Sequence, residues 1–115
     1  MFMAAKGTPS PARYPIGVAA TRTPQAVSGR ADADRAFASE GCTPARPWGN
    51  GPGDTYGWHD HGYHKVLFCL DGSIVFHTRD GDVGLTAGDR LDLEPGTEHA
   101  ATVGPAGVSC VEASR

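Results

Sequence analysis

The chain has 115 residues, of which 39% are hydrophobic, so it is long enough for one domain with a modest core and too apolar for a disordered protein. Its net charge of -3, with both signs interspersed and no basic run, argues against a nucleic-acid partner. The 16 glycines and 9 prolines predict many turns, and the absence of an apolar stretch of about 20 residues argues against a membrane partner.

The first 26 residues contain four prolines among small and basic residues. Such a composition is typical of a flexible arm that cannot form a core. Tyr14, Ile16 and Val18 alternate within it, as the residues of an edge strand would. We therefore divide the chain into a flexible N-terminal arm, residues 1–26, and one domain, residues 27–115.

A single short helix is predicted from Asp32 to Glu40. Acidic side chains suit its first turn, Ala33 and Phe37 follow helical spacing, and Gly41 can end it. The next segment, residues 43–53, is rich in proline and glycine and is predicted to be a loop.

From residue 55 onward, short extended segments alternate with glycine-containing turns. Asp71-Gly72 and Asp80-Gly81 stand between extended runs, which is a strong hairpin signal. Strands this frequent, without helices between them, predict an antiparallel sandwich or a small barrel. The predicted strands include Lys65–Leu70, Ser73–Thr78, Val83–Thr86, Arg90–Glu94, Glu98–Val103 and Val108–Ala113.

Alternation along these strands predicts which side chains share an apolar face. His99 falls on such a face, where an imidazole without a partner would be costly to bury. The groups that share a face are Ile74 with Phe76, Leu91 with Leu93, and His99 with Ala101 and Val103.

Three histidines are the main candidates for chemistry. His59 and His61 are two residues apart, so on a strand their side chains point to the same side. A strand returning antiparallel would bring His99 to them. Three convergent neutral imidazoles can hold a divalent transition metal and leave coordination positions open, and iron, manganese, nickel, copper and zinc all accept such ligands.

The spacing around the first two histidines follows a recognisable motif: a glycine, a His-x-His pair, three or four residues, a glutamate, six residues, and a glycine. Gly53, His59, His61 and Gly72 fit this motif, and Lys65 stands at the position of the glutamate.

A second motif follows, with glycine, five residues, Pro-x-Gly, two residues, histidine, three residues and asparagine. Gly88, Gly96 and His99 fit it, whereas Glu94 replaces the proline and Val103 the asparagine. In this order, separated by short strands, the two motifs resemble those of the cupin superfamily over about residues 48–112.

The resemblance implies an all-β fold, a small antiparallel cupin-type β-barrel or jelly roll, here with the N-terminal arm and one short helix. It implies a metal site at the barrel mouth formed by His59, His61 and His99. Cupins include oxygenases, isomerases and lyases as well as modules that only bind ligands, so the fold does not choose a reaction. With the two-sided apolar strand Val66–Leu70, the resemblance also predicts a homodimer.

Lys65 leaves two geometries open. If strand parity continues from His61, Lys65 faces inward, where an ammonium roughly 5 Å from a dication costs about 7 kcal/mol at an effective dielectric of about 20. It must then lose its proton, pair with a carboxylate or an anionic ligand, or coexist with an empty site. Alternatively, a bulge at Gly62 turns His64 inward as a fourth ligand and Lys65 outward.

The sequence therefore predicts a metal-binding cupin that acts as an enzyme on a small organic molecule. An inward Lys65, as a candidate catalytic residue, would favour an anionic substrate such as a carboxylate or an enolate. The alternative is a non-catalytic module that binds or senses a small ligand, with or without metal. The three cysteines lack C-x-x-C spacing and predict reduced thiols in a cytoplasmic protein.

Overall fold

The computed structural model describes residues 19–115, and the predicted strand at Tyr14, Ile16 and Val18 lies outside the described residues. Within the described part, the chain forms seven strands and one helix. In chain order they are β1 (Ala20–Thr23), α1 (Arg30–Ser39), β2 (Arg46–Asn50), β3 (Thr55–His59), β4 (Lys65–Thr78), β5 (Gly81–Thr86), β6 (Arg90–Leu93) and β7 (His99–Ser114).

All strands belong to one antiparallel sheet, with the order β1-β6-β4-β7-β2. Strand β3 pairs with β7 and β5 pairs with β4 beside this path. The prediction of a small all-β antiparallel fold with one short helix is confirmed. Strands β4 and β7 are the longest and pair with each other along most of their length, so they form the scaffold on which the other strands are arranged.

One predicted turn is wrong, because β4 runs without a break through Asp71 and Gly72. The β4–β7 register shifts on both sides of this point, and Gly72 has a φ of 74°. A Cβ atom on Gly72 would overlap the carbonyl oxygen of Gly107, which itself has a φ of 80°. The two glycines thus form a bulge in a continuous strand pair rather than chain reversals.

Two short strands occupy segments that were predicted to be irregular. Strand β1 lies inside the predicted arm and pairs with β6, and β2 lies inside the predicted loop and pairs with β7. Pro47 weakens the strand signal of β2, but β2 lies at the edge of the sheet order, where a missing backbone N–H is tolerated.

The core has two layers on opposite faces of β4. Leu67 and Cys69 belong to the barrel interior, whereas Val66 and Phe68 face outward and pack against α1. Phe37 of α1 meets Phe68 edge to face, with ring centroids 5.2 Å apart. The predicted faces are confirmed for the interior, which contains Ile74, Phe76, Leu91, Leu93, Ala101 and Val103.

An ionic network on the outer side joins α1 to β6. The Arg90 guanidinium donates to both carboxylate oxygens of Glu40, at 2.6 and 2.8 Å, and to Asp92 at 2.7 Å. Arg115 donates to Glu40 at 2.5 Å. These hydrogen bonds fix the C-terminal end of the helix against the barrel.

Strand β3 contrasts with the buried strands, since all five of its residues are exposed and its described pairing is with β7. Arg79 lies over the exposed Trp58 ring, 3.8 Å from its centroid. Among residues 19–115, no helix has the length and apolar character needed to cross a membrane.

Candidate metal centre

Two strand ends and the segment that follows β3 bring the predicted histidines together. His59 is the last residue of β3, His99 is the first residue of β7, and the two are register partners. His61 follows two residues after β3. One ring nitrogen from each of His59, His61 and His99 lies within 4.8 Å of the others. The structure therefore brings together the three histidines that were proposed as ligands from their spacing in the sequence.

The tautomers of two of these imidazoles are fixed by the backbone. His59 Nδ1 lies 2.7 Å from the carbonyl oxygen of Gly57, and His99 Nδ1 lies 2.8 Å from that of Thr97. Because a carbonyl oxygen can only accept, each Nδ1 carries the proton and each Nε2 keeps its lone pair. His61 Nε2 is buried without a hydrogen-bond partner. This donor set fits a metal ion, with the backbone orienting the ligands.

Burial also keeps two of the histidines neutral. Desolvation lowers the pKa of His61 and of His99 below the usual value for histidine, and the Lys65 ammonium lowers both further. A neutral imidazole is the form that binds a metal. His61 and His99 are therefore in the form that coordinates a metal near neutral pH.

Lys65 faces inward, which is one of the two predicted geometries, but residues 60–64 are not strand, so parity from His61 is not the reason. Its side chain is buried and lines the same cavity as His59 and His99. Its Nζ lies 3.3 Å from Oε1 of Glu112. The charge of Lys65 was expected to be lost, paired with an anion or tolerated beside an empty site. The structure shows the second of these, an ion pair with a carboxylate.

His64, the alternative fourth ligand, is turned toward two carboxylates instead of the three histidines. Its Nε2 lies 2.7 Å from Asp92 and its Nδ1 3.4 Å from Glu94. Asp92 is also a partner of Arg90 in the outer network. The reason for this orientation is that the outer face offers both ring nitrogens a partner.

Glu112 is the site residue that sequence reasoning missed. Beyond its pairing with Lys65, it accepts a hydrogen bond from Trp48 Nε1 at 2.8 Å and one from Arg46 at 3.4 Å. A signal was present, since Glu112 lies on the same face of β7 as the buried Val108 and Cys110. A carboxylate on an apolar face needs partners, and here it has three.

His59 and His99 open onto a cavity of about 220 Å³, which is smaller than the about 300–1,000 Å³ of typical ligand pockets and so limits a ligand to a small molecule. Its wall combines aromatic and aliphatic side chains with a few charged or polar ones. The lining residues are Trp48, Tyr56, His59, Lys65, Leu67, Phe76, His99, Ala101 and Glu112. A larger depression of about 410 Å³, around residues 78–83 and 96–98, includes none of the three histidines and so carries no argument about the metal.

A comparison with known families identifies the domain. The profile of the AraC-like ligand binding domain matches residues 48–109, which is more than half of the chain. The chain belongs to this family. Its fold is that of a small cupin, so the resemblance inferred from the two motifs is confirmed. No protein with a curated description matches the chain significantly.

Solved structures of cupins share the fold of this AraC-like domain. A cupin-2 domain protein from Shewanella frigidimarina is 19% identical, with a TM-score of 0.53 over 62% of this chain and 69% of that one. A protein from Thermotoga maritima, described as a predicted oxalate decarboxylase, is 23% identical, with a TM-score of 0.57 over 70% and 71%.

A third structure, described as that of DMSP lyases, is 28% identical, with a TM-score of 0.54 over 62% of this chain and 36% of its own. This chain spans less than two thirds of the length of several similar structures. The cupin domain is thus shared by described enzymes and by proteins without a stated activity.

Proposed function

We propose that this cupin is a metal-dependent enzyme that acts on a small, anionic organic molecule. The observation that carries the proposal is the set of three histidines, two with Nδ1 bound to the backbone and one with a buried, unpartnered Nε2. Iron, manganese, nickel, copper and zinc all suit imidazole ligands. Such an ion, when bound, supplies a Lewis acid with open coordination positions.

The charge of the cavity favours an anion. Imidazoles bind a metal in their neutral form, and the Lys65 ammonium and Glu112 carboxylate form an ion pair whose charges cancel, so a bound dication would leave the site with its full double charge. A glutamate in place of Lys65 would instead make the protein's contribution negative. An anionic ligand such as a carboxylate or an enolate offsets this excess.

Lys65 is the residue we assign to the substrate. An ammonium has three N–H donors, and among the described residues its ion-pair partner is Glu112. The remaining donors can bind an oxygen of the ligand, and stabilise negative charge that develops on it. Glu112 holds the ammonium in this position.

A non-catalytic binding or sensing module is the second candidate. Two observations favour it: Lys65 replaces the glutamate of the first motif, and the matching family is described as a ligand binding domain. Such a module would use the same cavity and retain its ligand unchanged.

Metal content is the first test. Wild-type protein, purified without chelator or histidine tag, should contain near-stoichiometric transition metal by elemental analysis. The double variant His59→Ala/His99→Ala should lose it, because one imidazole cannot hold the ion. His77→Ala is the matched control, since His77 binds Asp82 and Thr102 outside the cluster. His64→Ala should also retain metal, because its imidazole is turned toward Asp92.

A wild-type protein that lacks metal and takes up none when it is added would contradict the proposal. If metal is present, oxygen uptake and product formation with candidate carboxylates and diketones distinguish an enzyme from a binding module. Binding without turnover would support the second candidate. Lys65→Met should weaken binding of the anionic compounds and leave the metal content unchanged.

The remaining predictions concern assembly and location. The apolar outer side of β4, which suggested a homodimer, is covered by α1 of the same chain. A homodimer is therefore still supported by the cupin resemblance but no longer by an uncovered apolar face. Light scattering in solution tests it.

We propose a cytoplasmic location because all three cysteines are free thiols.

A further inference from the structure

Two thiols face each other inside the barrel. Cys69 of β4 and Cys110 of β7 are direct register partners, and both are fully buried free cysteines. They belong to the inner core, whereas Cys42 packs beside the outer cluster under α1. The metal site uses none of the three.

The backbone shows which kind of cross-strand pair this is. Cys69 N–H donates to the carbonyl of Asp89 at 3.0 Å, and the Cys69 carbonyl accepts from Gly88 N–H at 2.9 Å. Both groups therefore point away from β7, which makes Cys69 and Cys110 a non-hydrogen-bonded pair. Such pairs have Cα atoms about 4.5 Å apart and adjacent side chains. Disulfides span Cα separations of about 4.4–6.8 Å, so a pair of this type falls at the short end of the range that a disulfide can bridge.

We propose that Cys69 and Cys110 are an oxidisable pair that forms a disulfide within the barrel when the protein meets a peroxide. The sulfur of Cys69 first attacks one peroxide oxygen, the O–O bond breaks, and Cys69 becomes a sulfenic acid while water leaves. The sulfur of Cys110 then attacks that of Cys69 and releases a second water. The chain loses two hydrogen atoms and the peroxide is reduced to two waters.

The two cysteines have different roles in this reaction. Contact with Cys110 is the main cause that lowers the pKa of Cys69, and contact with Cys69 raises the pKa of Cys110. We assign the first step to Cys69 because it also borders a cavity that Cys110 does not line. This small cavity of about 140 Å³ is bordered by Cys69, Gly88, Gln25 and residues 27–29.

The bond would form at the floor of the candidate site. Cys69 lies two residues beyond Leu67 and Cys110 two residues before Glu112, on the inner faces of their strands. A disulfide here would tie β4 to β7 directly below the residues that line the cavity.

Peptide mapping after peroxide treatment tests the proposal. Full-length protein, with and without chelator, is treated with hydrogen peroxide, alkylated and digested with trypsin without reduction. We expect most chains to yield residues 66–79 joined to residues 91–115, and the melting temperature to rise by roughly 5–10 °C. Cys42→Ala should behave as wild type, and Cys110→Ala should lose the joined peptides.

The proposal would be contradicted if Cys69 and Cys110 remained free thiols after Cys42 had been oxidised. It would also be contradicted if Cys69 became a sulfinic acid while Cys110 stayed unmodified. To exclude slow access as the reason, the reduced, denatured protein is refolded in a glutathione redox buffer. Refolded monomer that joins Cys42 to either partner, or that retains all thiols, overturns the proposal as well.

Discussion

The barrel wall carries one ionic cluster on each face, and the two clusters differ in how completely their groups are paired. On the outer face, Arg90 donates four hydrogen bonds to Glu40 and Asp92. On the inner face, Lys65 has one carboxylate at 3.3 Å and His61 Nε2 has no partner. Buried polar groups are usually satisfied, so unsatisfied ones beside a cavity indicate a place for a ligand. We therefore expect the outer cluster to contribute mainly to stability, and we propose the inner cluster as the place where a ligand binds.

Removal of the inner carboxylate should produce the largest loss of stability. In Glu112→Ala, the Lys65 ammonium stays buried without its counter-charge, and Trp48 Nε1 loses its acceptor. We expect the free energy of unfolding to fall by about 3–5 kcal/mol, as measured by urea denaturation.

The double variant Lys65→Met/Glu112→Leu is the control for this loss. It removes both charges together, and apolar replacement of a buried pair is often close to neutral. We expect it to recover most of the stability. A double variant that is less stable than Glu112→Ala would mean that shape, and not charge, explains the effect.

Replacement of Arg90 tests the outer cluster. Arg90→Met leaves Glu40 and Asp92 without their shared cation and frees the end of α1. We expect a loss of about 2 kcal/mol in chemical denaturation, because the carboxylates can still reach solvent in part. Metal content should not change. A loss of metal in this variant would show that the two faces are coupled.

The two clusters should respond to acid in different pH ranges. Burial lowers the pKa of His61 and His99 in the folded protein. Below about pH 6.5 the unfolded chain therefore binds more protons than the folded one, and the free energy of unfolding decreases as the pH falls. Hydrogen bonds from Arg90 lower the pKa of Glu40, so its contribution is lost only as the pH falls below about 4.3.

Melting temperatures of the metal-free protein between pH 8 and pH 3 would separate these ranges. Each affected histidine contributes a slope of at most about 1.4 kcal/mol per pH unit. His99→Gln should flatten the upper part of the profile, whereas Arg90→Met should flatten the lower part. One transition that neither substitution alters would contradict the assignment.

The smallest effect is expected for an ion pair that belongs to neither cluster. Arg79 and Glu98 are 3.1 Å apart, and both side chains are more than half exposed. Solvent screens such a pair, so Glu98→Gln should change stability by less than about 0.5 kcal/mol. A loss of stability as large as that of Arg90→Met would mean that the exposure of an ion pair does not predict its contribution to stability in this protein.

The sequence predicted the parts of the site that depend on local spacing. The spacing of His59 and His61 and the motif around His99 selected the three histidines that come together. Lys65 also faces inward, although residues 60–64 interrupt the strand that was expected to carry its parity. The partner of Lys65 could not be found in this way, because Glu112 lies 47 positions later in the chain and is brought to it by the pairing of β4 with β7. Contacts between distant strands depend on register, which short motifs do not encode.

The two Asp-Gly pairs show the same limit for the fold. Asp80-Gly81 lies at the predicted turn between β4 and β5, whereas Asp71-Gly72 continues as strand. The local chemistry of the two pairs is identical. What differs is the partner, since Gly72 lies against Gly107 of β7 and its positive φ is used in a bulge. The strand that each Asp-Gly pair contacts therefore determines whether the pair forms a turn or a bulge within a strand.

Exposure of β3 would govern how quickly the site exchanges its ion. His59 ends this strand and His61 follows it, so two of the three proposed ligands depend on an element whose residues are all exposed, while His99 is anchored in the core. Weakly packed edges open locally far more often than cores do. The lifetime of a bound metal would then follow the fraying rate of β3, even where the barrel itself stays folded.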